Sequence, residues 1–207
     1  MSAFEYLSVF VAVVLGLAAT RVLSALGSSL RHRESVSSGW MHSLWALNML
    51  IYVVSLWWTS FAWNQLPEWN YPLFLFIVLY TIVLYLLTDV LYPDQVTEGL
   101  DLRAHFMEHR SVFFWLLLLA ILLDVVDMTL KDRLLAQPIP ASYWVSQGVW
   151  LVLPPIGLLS SSRRVHSALP VIFFLAMLGW LVLERPLASW VRLCLTSDCY
   201  SHGFADR

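Results

Sequence analysis

Long apolar stretches dominate the chain, and short polar segments separate them. Six stretches reach about the 20 residues that a helix needs to cross the hydrocarbon core of a bilayer. We predict spans at 4–27, 40–62, 71–92, 112–130, 143–161 and 167–184. The last three are short, and flanking aromatic and basic side chains that reach the interface extend them. The pattern therefore predicts an all-α, polytopic integral membrane helical bundle.

Composition supports a lipid environment. Of the 207 residues, 59% are hydrophobic and only 13% are charged, whereas a soluble domain has about a quarter charged residues. The net charge of −2 and the lack of a basic tail give no indication of a nucleic-acid partner. Residues 1–207 are predicted to form a single membrane domain that ends in a short interfacial helix over 187–195, a segment too short to span.

Basic residues in the loops predict the orientation. With the N-terminus outside, the short loop at 160–164 places Arg163 and Arg164 in the cytoplasm, and the outer loop 64–71 has no basic residue. Both termini are then non-cytoplasmic, in what resembles a bacterial cytoplasmic (inner) membrane protein. Cys194 and Cys199 then lie outside, where they form a disulfide or remain two free thiols.

The first span carries small residues at four-residue spacing. They lie on one helix face, which therefore allows close approach of another backbone: Ser8, Ala12, Gly16 and Thr20, continued by Ser24 and Ser28. We predict a helix-packing seam. Packing within the chain is the favoured interpretation, and a homo-oligomer interface is the alternative.

Ionisable residues within spans are costly and usually have a partner or a role. Arg21 on the first span and Asp89 on the third lie near the same predicted inner end, so we expect them at similar depth. His42 and Asn48 on the second span lie toward the same layer. The four residues indicate either a lone ion pair between helices or a gating or ion-coupling cluster.

Two carboxylates in the fourth span are three residues apart. Asp124 and Asp127 share a helix face and are separated by about 4.5 Å along the axis. Such a pair suits proton exchange or cation binding. The alternative is that both reach the outer interface and pair with Lys131 or Arg133.

Adjacent prolines interrupt the fifth span. Pro154 and Pro155 lack an N–H and free carbonyls in the preceding turn, which a membrane tolerates where protein or water satisfies them. They indicate either a cavity lining or a plain kink. Gln147, about two turns earlier, is expected to face the same cavity as Asp124.

The predicted loop after the third span holds a possible metal site. Five ionisable residues share one face if the segment is helical: Glu98, Asp101, His105, Glu108 and His109. His105 and His109 have the spacing at which two imidazoles bind one ion. A water-exposed acidic face explains the same pattern with fewer assumptions.

Three functions fit these features. The first is a small transporter or channel for a proton or small cation that uses the intramembrane carboxylates. The second is a non-catalytic membrane subunit or scaffold of a larger complex. The third is a membrane-embedded metalloenzyme built on His105, His109 and the nearby acids, which is disfavoured because no Glu follows the first His as in the familiar metalloprotease motif.

Overall fold

Each predicted span forms an α-helix in the structure, a computed structural model that describes residues 2–31, 39–93 and 102–183. A short 3-10 helix, Phe61–Gln65, follows the second of them. The α-helices are α1 (Ala3–Arg31), α2 (Gly39–Ser60), α3 (Tyr71–Val90), α4 (Leu102–Leu135), α5 (Ala141–Leu159) and α6 (Arg163–Leu183). The described residues contain no strand. The predicted interfacial helix, Cys194 and Cys199 lie outside them.

Five of these helices are long and apolar enough to cross a membrane: α1, α2 with the 3-10 helix, α3, α4 and α6. The sixth, α5, has 19 residues and is made less apolar by its prolines, serines and Gln147. It still presents apolar side chains outward, with Val145 72% and Leu159 88% exposed. The chain is therefore a multi-pass α-helical membrane bundle.

The helices pack in a closed ring whose order differs from their order in the chain. Around the ring, α1 packs against α3, α3 against α4, α4 against α5, α5 against α6, α6 against α2, and α2 against α1. In addition, α2 touches α3 and α4, so it lies closest to the centre. Buried side chains from several helices consequently meet inside the ring.

The two ends of the bundle differ in character. At one end, here called the Trp63 end, α2 and α4 finish and α1, α3 and α5 begin. The opposite half contains a cluster of aromatic side chains whose ring centroids lie 5.0 to 6.1 Å apart. This aromatic cluster consists of Trp45, Phe106, Phe113, Phe114 and Phe173, all buried. It fills the half of the ring that contains the start of α2.

Two helices differ from their predicted form. The fourth span begins at Leu102 rather than 112 and ends at Leu135 rather than 130, so α4 measures about 51 Å and exceeds the hydrocarbon thickness. Its later end is explained by Lys131, a charged residue that is buried inside the bundle. The fifth span is not broken, because α5 continues as a helix through Pro154 and Pro155.

The small-residue face of α1 does not pack against the other helices that the structure describes. The helix is buried through other positions, namely Leu7, Val11, Leu15, Ala18 and Val22. Ala12, Gly16 and Thr20 are exposed, and Ser8 is half-buried. A side chain added at Gly16 would meet nothing within 4 Å. Among the described helices the three exposed residues therefore have no packing partner, and both packing within the chain and the oligomer interface stay predictions for them.

Candidate functional site

Asp124 lies where α3, α4 and α5 meet, and three neutral groups donate hydrogen bonds to its carboxylate. The Tyr80 hydroxyl donates to Oδ1 at 3.3 Å, and the Tyr143 hydroxyl donates to Oδ2 at 2.9 Å. The Gln147 amide Nε2 also donates to Oδ2. Asp124 is partly buried, whereas its three donors are at most 2% exposed.

A second tyrosine extends the hydrogen-bonded chain to α2. The hydroxyls of Tyr52 and Tyr80 lie 3.3 Å apart. A hydroxyl has one proton to donate, and that of Tyr80 points to Asp124, so Tyr52 must be the donor to Tyr80. The chain Tyr52 to Tyr80 to Asp124 therefore crosses the interior of the ring in one direction.

Asp127 has a different set of partners, closer to the Trp63 end. Its Oδ2 lies 2.5 Å from the Lys131 ammonium, and its Oδ1 accepts a hydrogen bond of 3.0 Å from the Trp63 indole N–H. Lys131 also lies 5.7 Å from the centre of the Trp63 ring, within cation–π range. The short 3-10 helix turns Trp63 into the bundle. Asp127 thus pairs with Lys131, as one alternative from the sequence had it, and both residues are 3% exposed, while their position relative to the outer interface stays a prediction.

The charges of the two carboxylates are compensated differently. Asp127 and Lys131 form a neutral pair. Asp124 accepts bonds from hydroxyl and amide groups and forms no ion pair with any residue that the structure describes. With both carboxylates ionised, the group carries one negative charge, and one proton or one monovalent cation at Asp124 makes it neutral. Uncompensated charge is costly within a bilayer, which favours such neutralisation.

Of the residues predicted to line a cavity on α5, only Gln147 joins this group. It contacts Asp124, as the sequence led us to expect. Pro154 is buried and Pro155 half-buried, but they lie seven and eight residues further along the helix, at least about 10 Å from Gln147 along the axis. The prolines therefore belong to a different layer of the bundle.

Arg21 and Asp89 form an ion pair away from this group. The Arg21 Nε atom lies 3.0 Å from Asp89 Oδ1, and their side chains are 26% and 40% exposed. On α3, Asp89 follows Tyr80 by nine residues, or about 13.5 Å. The four residues predicted to bind an ion or proton thus lie in two layers, with Arg21 and Asp89 in one and Asp124 and Asp127 in the other.

His42 and Asn48 lie on the buried face of α2. The His42 ring packs edge-on against Phe106 and Tyr92, at centroid distances of 5.4 and 5.9 Å. The Asn48 amide donates a hydrogen bond of 2.9 Å to the carbonyl of Pro170 on α6. Both residues are fully buried. Asn48, one turn before Tyr52, lies between the tyrosine chain and the layer of His42.

His105 and His109 lie together in the first turns of α4, with ring centroids 4.4 Å apart. The Nδ1–H of His109 donates a hydrogen bond of 3.0 Å to the backbone carbonyl of His105. Across 2–31, 39–93 and 102–183, no group of three or more His, Cys, Asp or Glu side chains is arranged to hold a metal ion. Glu98 and Asp101 fall outside those ranges, so the metal hypothesis stays a prediction.

Four residues of the site were not identified from the sequence: Tyr52, Tyr80, Tyr143 and Trp63. A usable signal was present for two of them. Tyrosines in membrane helices favour the interface, yet Tyr52 and Tyr80 lie near the middle of α2 and α3. A tyrosine hydroxyl in the middle of a span needs a hydrogen-bond partner inside the protein, so its position in the sequence indicates a buried polar contact.

Comparison with known proteins adds no assignment, because the chain matches no protein-family model, no curated protein and no solved structure.

Proposed function

We propose that this chain is a small transporter or channel-like protein that moves a proton or a small cation past Asp124. One observation carries the proposal: Asp124 is an intramembrane carboxylate with three neutral donors, while the nearby lysine is committed to Asp127. A buried carboxylate with a purely structural role is most stable when it has a counter-ion of its own. Asp124 instead has one charge that a passing cation can compensate.

The surrounding groups fit a transfer path. A proton accepted by the Tyr52 hydroxyl is passed on when that group releases its own proton to Tyr80, which in turn releases one to Asp124. Each hydroxyl gains one proton and loses one, so neither changes its charge overall. The packing of Trp63 and Lys131 around Asp127 closes the Trp63 end, and the aromatic cluster closes the other. In the proposed transport cycle, this arrangement is the occluded state.

The test is flux through liposomes that contain the purified protein, read with a pH-sensitive dye and with cation-sensitive dyes. Asp124→Asn is expected to lower the flux at least tenfold, because the amide neither releases a proton nor offers a charge. Asp127→Asn is expected to lower it as well, since it leaves Lys131 as a buried, unpaired cation near Asp124. Asp132→Asn, which alters an exposed carboxylate on the same helix, is the matched control. Unchanged flux in both Asp124→Asn and Asp127→Asn contradicts the proposal.

A second candidate is a non-catalytic membrane subunit, either in a homo-oligomer or in a complex with other membrane proteins. The exposed small-residue face of α1 favours it, because such faces let helices associate in lipid. In this case the buried network fixes the mutual register of the helices. Purification in a gentle detergent tests the idea: a stoichiometric partner or a defined oligomer supports it, and a lone monodisperse monomer contradicts it.

A further inference from the structure

Gln147 has one amide atom that the hydrogen-bond network uses and one that it does not. Its Nε2 donates to Asp124 Oδ2. Its Oε1 is buried, in a residue only 1% exposed, and has no hydrogen-bond partner among the described residues. Because both atoms are attached to the same carbon, this unused oxygen lies close to the Asp124 carboxylate. A buried carbonyl without a partner is costly and indicates a group that it can bind.

The neighbouring oxygens also retain free lone pairs. A carboxylate has about four acceptor positions, of which Asp124 uses three. Each hydroxyl has two lone pairs besides its proton. Tyr52 and Tyr143 donate their protons within the network and each keep at least one lone pair, and Tyr80 keeps one after accepting from Tyr52. Oxygen ligands for a cation are therefore available while these hydrogen bonds remain in place.

We infer that Asp124, Gln147 and the three tyrosine hydroxyls form a binding site for a dehydrated monovalent cation of the size of Na⁺. The site rests on the proposed function, for which it names the substrate class. Its single uncompensated charge matches a monovalent rather than a divalent ion. The donor set contains only oxygen, which suits a hard cation and not a transition metal.

The hydrogen-bonded oxygens lie somewhat closer together than the oxygens around a bound cation, so the smaller ion requires the smaller expansion. Around a cation with metal–oxygen distances of about 2.4 Å, which is the Ca²⁺ range and holds for the similarly sized Na⁺, neighbouring oxygens of an octahedral shell lie about 3.4 Å apart. The Tyr52–Tyr80, Tyr80–Asp124 and Tyr143–Asp124 distances are 3.3, 3.3 and 2.9 Å. Small outward shifts therefore accommodate Na⁺, whereas the larger K⁺ requires a wider expansion of packed helices.

Binding is measured on the full chain in lipid nanodiscs, without any flux. Thermal unfolding is followed as NaCl replaces choline chloride at constant ionic strength, and again with KCl. A ligand that binds only the folded state raises the unfolding temperature once its concentration exceeds Kd. We expect Na⁺ to raise it more than K⁺, with no effect from choline.

Three variants locate the effect. Asp124→Asn is expected to abolish the Na⁺ response, and Tyr143→Phe and Gln147→Met each to weaken Na⁺ binding about tenfold, because each removes an oxygen while keeping a similar shape. Asp132→Asn, an exposed position on the same helix, is expected to respond like the parent protein. If Asp124→Asn does not fold, the other two variants carry the test.

An equal unfolding temperature in NaCl and choline chloride overturns the inference, as does a Na⁺ response that survives in Asp124→Asn. A protein that moves protons but whose stability ignores Na⁺ retains the proposed function and refutes the cation site. Conversely, saturable Na⁺ binding that depends on Asp124, in a protein that shows no flux, upholds the site and refutes transport.

Discussion

At the scale of single residues, the buried ion pair of Asp127 and Lys131 has the largest energetic consequence. Both residues are 3% exposed and one helical turn apart on α4. Removing two charges from water is costly, and their attraction repays the cost only when both are present and hydrogen-bonded. Trp63 supplies the additional hydrogen bond to Asp127. The pair therefore stabilises the bundle only when both members are present, because either charge alone, buried without its partner, would destabilise it.

Replacing one member of the pair is expected to destabilise the protein strongly. Lys131→Met leaves Asp127 without its counter-ion and should lower the free energy of unfolding by about 3–5 kcal/mol. The double replacement Asp127→Leu with Lys131→Met removes both charges and should recover most of that loss. Unfolding by denaturant titration in detergent micelles measures both.

The control for this pair is Arg133→Met, two residues further along α4 at an exposed position. We expect a change within about 0.5 kcal/mol there. A Lys131→Met protein as stable as the parent, or a double variant weaker than the single one, contradicts the conditional role of the pair.

The sequence predicted the location of the site better than its contacts. The spacing of Asp124 and Asp127 indicated a shared helix face, and Gln147 was expected beside Asp124. The spacing did not show that the two carboxylates have separate partners, because all of these partners except Lys131 lie on other helices. Tyr80 and Trp63 lie 44 and 64 positions from the carboxylates that they contact. Only the packing of α3 and the 3-10 helix against α4 selects them.

At the scale of elements, α5 depends on a close approach to α4 at Gly157. A Cβ atom added to Gly157 would overlap the Cζ, Cε1 and Cε2 atoms of Phe114. Phe114 is fully buried in the aromatic cluster and has no room to withdraw. Gly157 therefore sets the distance between these two helices, on the side of the cluster.

Gly157→Ala is expected to destabilise the protein by about 1–3 kcal/mol, because the new methyl group overpacks the contact with Phe114. Gly148→Ala, on the same helix, is the matched comparison, since an added Cβ there meets nothing within 4 Å. That change should be neutral or stabilising by up to about 1 kcal/mol, because alanine favours helix. The change in unfolding temperature is measured for both variants in the same detergent. Equal changes would show that the contact with Phe114 does not limit the residue at position 157.

The existence of the helices was predictable from the sequence, whereas their neighbours were not. Length and hydropathy identify six spans because lipid requires long apolar helices whatever their tertiary contacts. The end of α4 was misjudged at Lys131, since a lysine marks an interface unless a partner such as Asp127 keeps it buried. The order of helices around the ring, with α2 between α1 and α6, depends on side-chain shape along whole helix faces. The positions of the spans in the sequence do not predict it.

At the scale of the whole molecule, the ring of described helices leaves one face of α1 uncovered. Ala12, Gly16 and Thr20 are exposed there, and the Thr20 hydroxyl is satisfied by the Gly16 carbonyl at 2.8 Å. Such a face presents a shallow groove, and a partner helix that packs there does not have to supply a hydrogen bond. We predict that two copies of the chain associate through it.

Gly16→Leu is expected to weaken self-association at least tenfold, because the bulky side chain keeps the backbones apart. The fold itself should be unaffected, since nothing lies within 4 Å of the added Cβ. Val13→Leu, at an exposed position that is already bulky, serves as the control. Association is measured by energy transfer between labelled copies at increasing lipid dilution. A parent protein that stays monomeric, or an unchanged Gly16→Leu variant, rules the interface out.

The aromatic cluster has a consequence for how fast any ion can cross. Its rings fill the half of the bundle opposite Trp63 and contact one another at 5.0 to 6.1 Å. If the proposed transport crosses this half of the bundle, each passage requires several packed rings to change rotamer together, a collective motion of microseconds to milliseconds and not a diffusive hop. Turnover should then be slow, saturable and steeply dependent on temperature, which is the kinetic signature of a carrier and not of an open pore.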